Sequence, residues 1–188
     1  MIQKFLVFTF ILGISTISNA QETGTFTDYR DGRTYKTVKI GDQWFMAENL
    51  TFRPANGNFW AYKNDSSNIL AYGYLYDWGT AKNVAPIGWH LPSLNEWKIM
   101  FDYLGGNKNI VFEAVKPDGK SGFNALFGGT RSENGDFNDV DESVFFWSST
   151  SYDETVAYCL GCEKQNKKAA LGGSYKVCGF SIRCIKDN

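Results

Sequence analysis

The residues of this chain that can do chemistry are few and scattered. His90 is the only histidine, which excludes a cluster of imidazole metal ligands and leaves a single candidate for general-base work. Within Trp89-His90-Leu91-Pro92 its expected role is to pack or hydrogen-bond beneath the helix start that follows. No Ser or Cys stands in a marked nucleophile, base and orienter arrangement. Asp136, Asp139, Asp141 and Glu142 put four carboxylates on one expected hairpin, the oxygen chemistry that calcium takes. Their spacing does not match an EF-hand loop, so the expectation is a solvated acidic turn, with calcium as the alternative. Asn56, Trp60, Tyr62, Tyr152 and Asp153 supply rings and polar groups of the kind that stack on sugars or bury at protein interfaces. These sets favour binding over chemistry. No catalytic residue is assigned, and no cofactor is expected.

The element that must position these groups begins at Ser93. Its hydroxyl can accept from the Glu96 N–H while the Glu96 carboxylate reaches back to the Ser93 N–H, a capping box that satisfies two donors left orphan at a helix N-terminus. Leu94, Trp97, Phe101 and Leu104 then recur at three- and four-residue steps, which predicts an amphipathic helix ended by Gly105-Gly106. Residues 34–40 and 43–46, split by Gly41-Asp42, predict a β-hairpin. Residues 54–67 read as a loop, 77–82 as a short helical piece and 107–122 as an unpatterned connection. Beyond them, residues 123–131, 144–149, 155–160, 169–172 and 179–185 read as strands, with Asn134-Gly135 as a hairpin turn.

Residues 1–20 carry a basic start, an apolar run over 5–17 and the small-residue site Ser18-Asn19-Ala20, which together predict a secretory signal peptide and a mature N-terminus at Gln21. The apolar run falls short of the roughly 20 residues needed to cross a bilayer. No later stretch is apolar enough to serve as a transmembrane anchor. The expected location is therefore the periplasm, the cell surface or the exterior. Residues 21–27 read as a polar lead-in, and 28–188 as one α+β domain without repeats. Six Trp, ten Tyr and fifteen Phe beside 19 Gly predict short strands and tight turns around packed rings. A net charge of −1 argues against nucleic acid, whose phosphates require a concentrated basic surface.

Five segments carry a resemblance. Asp31-Gly32-Arg33-Thr34-Tyr35, Trp44-Phe45-Met46-Ala47-Glu48-Asn49-Leu50, Gly88-Trp89-His90-Leu91-Pro92-Ser93 with Glu96-Trp97, Trp147-Ser148-Ser149-Thr150 and Gly179-Phe180-Ser181-Ile182-Arg183-Cys184 resemble, in order, the Fibrobacter succinogenes major paralogous domain. That family occurs in secreted and surface proteins of bacteria and has no established activity. More distantly, Leu91-Pro92-Ser93, Gly128-Gly129-Thr130 and residues 179–183 are similar to marks of the formylglycine-generating, sulfatase-modifying domains. This implies a C-type lectin-like fold, two helices packed on a small twisted antiparallel sheet with long irregular loops. The oxidase reaction in that family needs paired thiols soon after the Gly-Gly-Ser segment, and here no cysteine follows Gly128-Gly129-Thr130 before Cys159. The expected function is a non-catalytic exported binding module for a surface glycan or a partner protein. A formylglycine-generating-like oxidase and a purely structural surface protein are the alternatives.

The resemblance also bears on the cysteines. The family usually carries a Cys before the Pro of its Pro-x-Gly-Trp segment, the implied mate of the final-strand Cys, but Ala85 stands there and Cys184 lacks that partner. Four cysteines in an exported chain favour two bridges. On a continuous strand Cys178 and Cys184 would lie roughly 20 Å apart at about 3.3 Å per residue, beyond the ~7 Å that a disulfide allows between Cα atoms. Of the two remaining patterns, Cys159 with Cys184 and Cys162 with Cys178 is the one expected if residues 155–160 run antiparallel beside the closing strand.

Overall fold

The computed structural model describes residues 21–187. The expected signal segment lies outside the described residues. In chain order the elements are β1 (Thr23–Asp28), β2 (Arg33–Ile40), β3 (Gln43–Met46), β4 (Phe59–Trp60), α1 (Ile69–Tyr72), β5 (Leu75–Tyr76), α2 (Trp78–Ala81) and β6 (Trp89–His90). There follow α3 (Leu94–Tyr103), α4 (Lys108–Val115), β7 (Gly128–Arg131), β8 (Phe137–Val140), β9 (Ser143–Ser151), β10 (Val156–Glu163), β11 (Lys168–Tyr175) and β12 (Ile185–Lys186). One five-stranded sheet has the order β1-β2-β3-β12-β6, a second the order β11-β10-β9-β7-β8, and β4 pairs with β5.

This overturns the expected α+β, C-type lectin-like architecture of two helices on one small sheet. Strand accounts for 37% of the chain against 19% helix, and five-stranded sheets form the frame. The strands expected over 144–149 and 155–160 form as β9 and β10; the strands that the sequence pattern did not show are β1, β8 and the two-residue β4, β5 and β6, which are too polar or too short to carry a period of two. The stretch read as a polar lead-in is also largely strand: Thr23 to Asp28 pair with Val38 to Arg33. Its inward residue Phe26 stacks on Tyr35 and on Trp89, with ring centroids 5.4 and 4.4 Å apart, but its Thr and Gly neighbours supply no period. The expected hairpin of β2 and β3 forms with Val38 opposite Phe45.

At α3 both halves of the capping box are present. Trp97 and Met100 are fully buried, and the Trp97 ring lies 5.5 Å from Phe45 and edge-on to Phe123 at 6.1 Å. The connection expected over 107–122 instead contains α4. Asn107 caps it by accepting from the N–H groups of Asn109 and Ile110, and Val111, Phe112, Ala114 and Val115 are buried. That run is short and partly β-branched, so helical periodicity does not stand out in it.

The second sheet divides the core. Val144, Phe146, Leu160 and Cys162 pack with Phe45, Trp97 and the apolar residues of α4, while Trp147, Ala157 and Cys159 pack with Tyr76, Trp78 and Phe180. The segment expected as a closing strand over 179–185 is not continuous. Phe180 bridges Tyr76, Ser181 bridges Phe146, and only Ile185–Lys186 forms β12, between β3 and β6. The break lets Arg183 turn fully inward. Its guanidinium donates to Asn49 Oδ1 at 2.7 Å and to the carbonyls of Met46, Phe123 and Asn124 at 3.1, 2.7 and 2.6 Å. Burial pushes its pKa down to about 9, so it remains charged at neutral pH. Asn49 is buried and also donates to the Tyr72 carbonyl at 2.8 Å.

Candidate functional site

His90 lies on β6 at the mouth of the α3 cap, held between two carboxylates. Its Nε2 is 2.8 Å from Glu96 Oε1 and its Nδ1 2.6 Å from Asp187 Oδ1. Burial works against the charged ring, but the paired carboxylates outweigh it and raise the His90 pKa. Glu96 responds in the opposite sense: burial favours its neutral form, and hydrogen bonds from the Ser93 N–H, His90 and the Ser93 hydroxyl hold its pKa below the ordinary value. The Ser93 hydroxyl lies 2.8 Å from Glu96 Oε2 and is not aimed at His90. The arrangement therefore holds a proton between two acids and joins β6, α3 and the end of β12. It does not pair a nucleophile with a base.

The four cysteines are buried and unbridged. The strand arrangement behind the expected pairs does not occur, since β10 lies between β9 and β11, while Ile185 of β12 pairs with Phe45 and His90 in the other sheet. The acidic residues diverge. Asp141 accepts from the Tyr72 hydroxyl at 2.6 Å and faces a cleft lined by Phe112 and Phe127, whereas Asp139 and Glu142 line a different hollow with Glu163. Among the described residues no group of three or more His, Cys, Asp or Glu is placed to hold a metal ion.

The aromatic candidates separate into two places. Trp60 is half-buried, with the Arg131 guanidinium 4.1 Å from its ring centre and Gly179 so close that a Cβ there would come within 3.1 Å of the ring. Tyr62 is buried edge-on against Phe137 at 5.5 Å. Neither offers a free face, and Asn56 is exposed in the loop before β4. Tyr152, by contrast, is 65% exposed and meets Tyr158 edge-on at 5.5 Å. Tyr175 is 52% exposed and opposite Val156, while Tyr158 is opposite Gly173, so Tyr158 and Tyr175 share one face of the sheet.

Asp153 builds the turn that presents Tyr152. Its carboxylate accepts from the Thr155 and Val156 N–H groups, each at 2.7 Å, and these bonds keep its pKa low. Lys176 fixes the same turn by donating to the Asp153 and Glu154 carbonyls at 2.6 and 3.0 Å while lying 4.4 Å over the Trp78 ring. Sequence reading missed Tyr158 and Tyr175. The alternation Val156, Tyr158 on one strand and Gly173, Tyr175 on the next would have found them once the pairing was known.

The capping box, the buried Asn49 and Arg183, and the Trp147 layer fall on the segments quoted above for the resemblance. The model of the Fibrobacter succinogenes major domain family matches residues 38–186. The chain belongs to this family. The family match does not extend to the more distant link with C-type lectin-like domains, which is unsupported. No curated protein and no solved structure matches the chain. Among the described residues no helix is long and apolar enough to cross a membrane.

Proposed function

We propose that this Fibrobacter succinogenes major domain is an exported, non-catalytic binding module of the bacterial envelope or exterior, and that its contact face is the tyrosine-lined end of the second sheet. The ligand class is a surface glycan or a partner protein. The observation that carries the reading is the pair of exposed rings, Tyr152 and Tyr175, flanking Tyr158 on strands anchored in the core. Tyrosine gives a large amphipathic contact with only two rotatable side-chain bonds to order, which suits recognition of sugar faces and protein surfaces alike. A rigid scaffold holding such rings loses little on binding.

The test is a glycan and cell-wall binding screen of residues 21–188 with and without calcium. The proposal expects saturable binding that weakens at least ~10-fold in the Tyr152→Ala, Tyr175→Ala double variant, with an unchanged thermal midpoint. Binding indifferent to both substitutions would move the site elsewhere, and no saturable ligand would leave a structural surface protein. Mass spectrometry of the N-terminus in the envelope fraction tests export separately, with Gln21 as the expected first residue.

A further inference from the structure

We propose that β1 is a strand-addition site, whose free edge takes an extended segment of a partner polypeptide. β1 and β6 stand at opposite ends of the order β1-β2-β3-β12-β6, yet Phe26 of β1 stacks on Trp89 of β6 with ring centroids 4.4 Å apart. The sheet therefore curls until its two edges face each other, and the stacked rings floor the seam between them. Lys39 donates to the Glu22 carbonyl at 2.9 Å, which sets the phase of the β1–β2 ladder. Gly24, Phe26 and Asp28, opposite Thr37, Tyr35 and Arg33, turn their backbone groups towards β2, and Thr23, Thr25 and Thr27 turn theirs away from it. Among the described residues nothing bonds to the outward N–H and C=O groups of these three threonines.

Proteins block such an edge with a lysine, a proline or a bulge. The six residues Thr-Gly-Thr-Phe-Thr-Asp of β1 carry none of these, and their register with β2 is unbroken. A hollow of about 450 Å³ lies along the edge instead, lined among others by Thr25, Phe26, Tyr29, Pro86, Ile87 and Trp89. A second, of about 440 Å³, meets the first at Thr25 and is bordered by Thr23, Gly24 and Lys36, so every residue of β1 adjoins open space. Of the large apolar side chains among the described residues, Ile87 and Tyr29 are the most exposed, at 98 and 95%, and both line the first hollow. The charges there satisfy each other, with Arg30 donating to the two Asp28 oxygens at 2.9 and 2.6 Å.

These observations select the occupant. Unpaired N–H and C=O groups that recur at every second residue, roughly 6.6 Å apart at about 3.3 Å per residue, match the backbone of another extended chain. Sugar hydroxyls have no such fixed alternation of donor and acceptor. Side chains of an added strand alternate between the two faces of the sheet, and those on the side of Phe26 and Trp89 meet rings, Pro86 and Ile87. The partner segment is therefore extended, uncharged and apolar at every second residue. Main-chain bonds to the edge supply its affinity, and the hollow selects its side chains. The site belongs to the first sheet and is separate from the tyrosine face of the second, so it does not rest on the binding reading above.

The probe is a phage library of random dodecapeptides selected on residues 21–188, followed by synthesis of the best binder and of the same peptide N-methylated at alternate residues. The expected binder alternates apolar and polar residues and protects the Thr25 and Thr27 amides from hydrogen exchange. N-methylation of one of the two alternate sets removes the donors that face β1 and should weaken binding at least ~10-fold. Thr25→Pro removes an outward N–H while sparing the ladder and should weaken it as much. The Tyr29→Ser, Ile87→Ser double variant changes only exposed side chains, should also weaken binding, and decides the matter where the proline variant does not fold. Tyr152→Ala with Tyr175→Ala should leave peptide binding unchanged. No selected binder, a binder indifferent to N-methylation and to the β1 and rim substitutions, or one lost only in the Tyr152, Tyr175 variant would overturn the assignment. A dimer in sedimentation that Thr25→Pro dissolves would overturn it as well, by giving the edge to a second copy of the chain. The glycan screen reads the other site, so the two proposals fail separately.

Discussion

Replacing Arg183 by Ala removes a fully buried cation whose donors serve one side-chain and three backbone acceptors. Each acceptor left without a donor costs about 1–3 kcal/mol. The side-chain volume lost between the Phe123 and Phe146 rings, whose centres lie 5.0 and 5.5 Å from the guanidinium carbon, adds a cavity penalty. Against these stands relief from burying an ion, several kcal/mol in a protein interior. The balance is a net loss of about 3–5 kcal/mol, the range found when one member of a buried charged network is removed. For a domain of this size that lowers the thermal midpoint by about 6–20 °C. Urea melts followed by Trp fluorescence measure it, together with Asn49→Ala and the double variant. The coupling between the two should be about 1–3 kcal/mol, because the bond from Arg183 Nε to Asn49 Oδ1 is lost in either single variant. Arg183→Lys should recover only part of the loss, since an ammonium cannot span four acceptors in a plane. A cost below ~1 kcal/mol for Arg183→Ala, or full rescue by Lys, would refute the view that this guanidinium ties the end of β3 and Asn49 to the Phe123–Asn124 segment.

Ser93→Ala should cost about 0.5–2 kcal/mol, and Trp97→Ala about 3–5 kcal/mol; equal small effects in denaturant melts would show that α3 does not anchor the core. The His90 clasp predicts a pH dependence: with its folded pKa raised, its contribution is full below the unfolded value of about 6.5 and is lost as pH rises through the folded pKa. Glu96, with a lowered folded pKa, contributes above its unfolded value and loses that contribution as pH falls through the folded one. Urea midpoints across pH 4–9 should therefore decline on the alkaline side in the wild type and flatten there in His90→Gln. Gly129 has φ +69°, and a Cβ there would come within 2.5 Å of the Asn138 carbonyl oxygen and 2.9 Å of the Val140 nitrogen, so Gly129→Ala should destabilise by more than about 1 kcal/mol. Circular dichroism melts check it, and an unchanged midpoint would mean that the β7–β8 ribbon moves aside freely.

The sequence by itself determined the family segments, the helix start at Ser93 and Glu96, the β2–β3 hairpin and the burial of Trp97. Those features are written in short-range chemistry: a cap closes within one helical turn, a hairpin across a two-residue turn, and an amphipathic face repeats within a few residues. The tertiary structure decided what depends on distant partners. It made a strand of a Thr-rich lead-in because β2 offered an edge, and a helix of residues whose apolar run carries no clear period because the second sheet needed a cover. It turned Arg183 inward by interrupting the strand expected around it. The cysteines show the division plainly. Their count was legible, but which thiols share a face depends on β10 lying between β9 and β11, a pairing of segments whose order in space leaves no mark on their order in the chain.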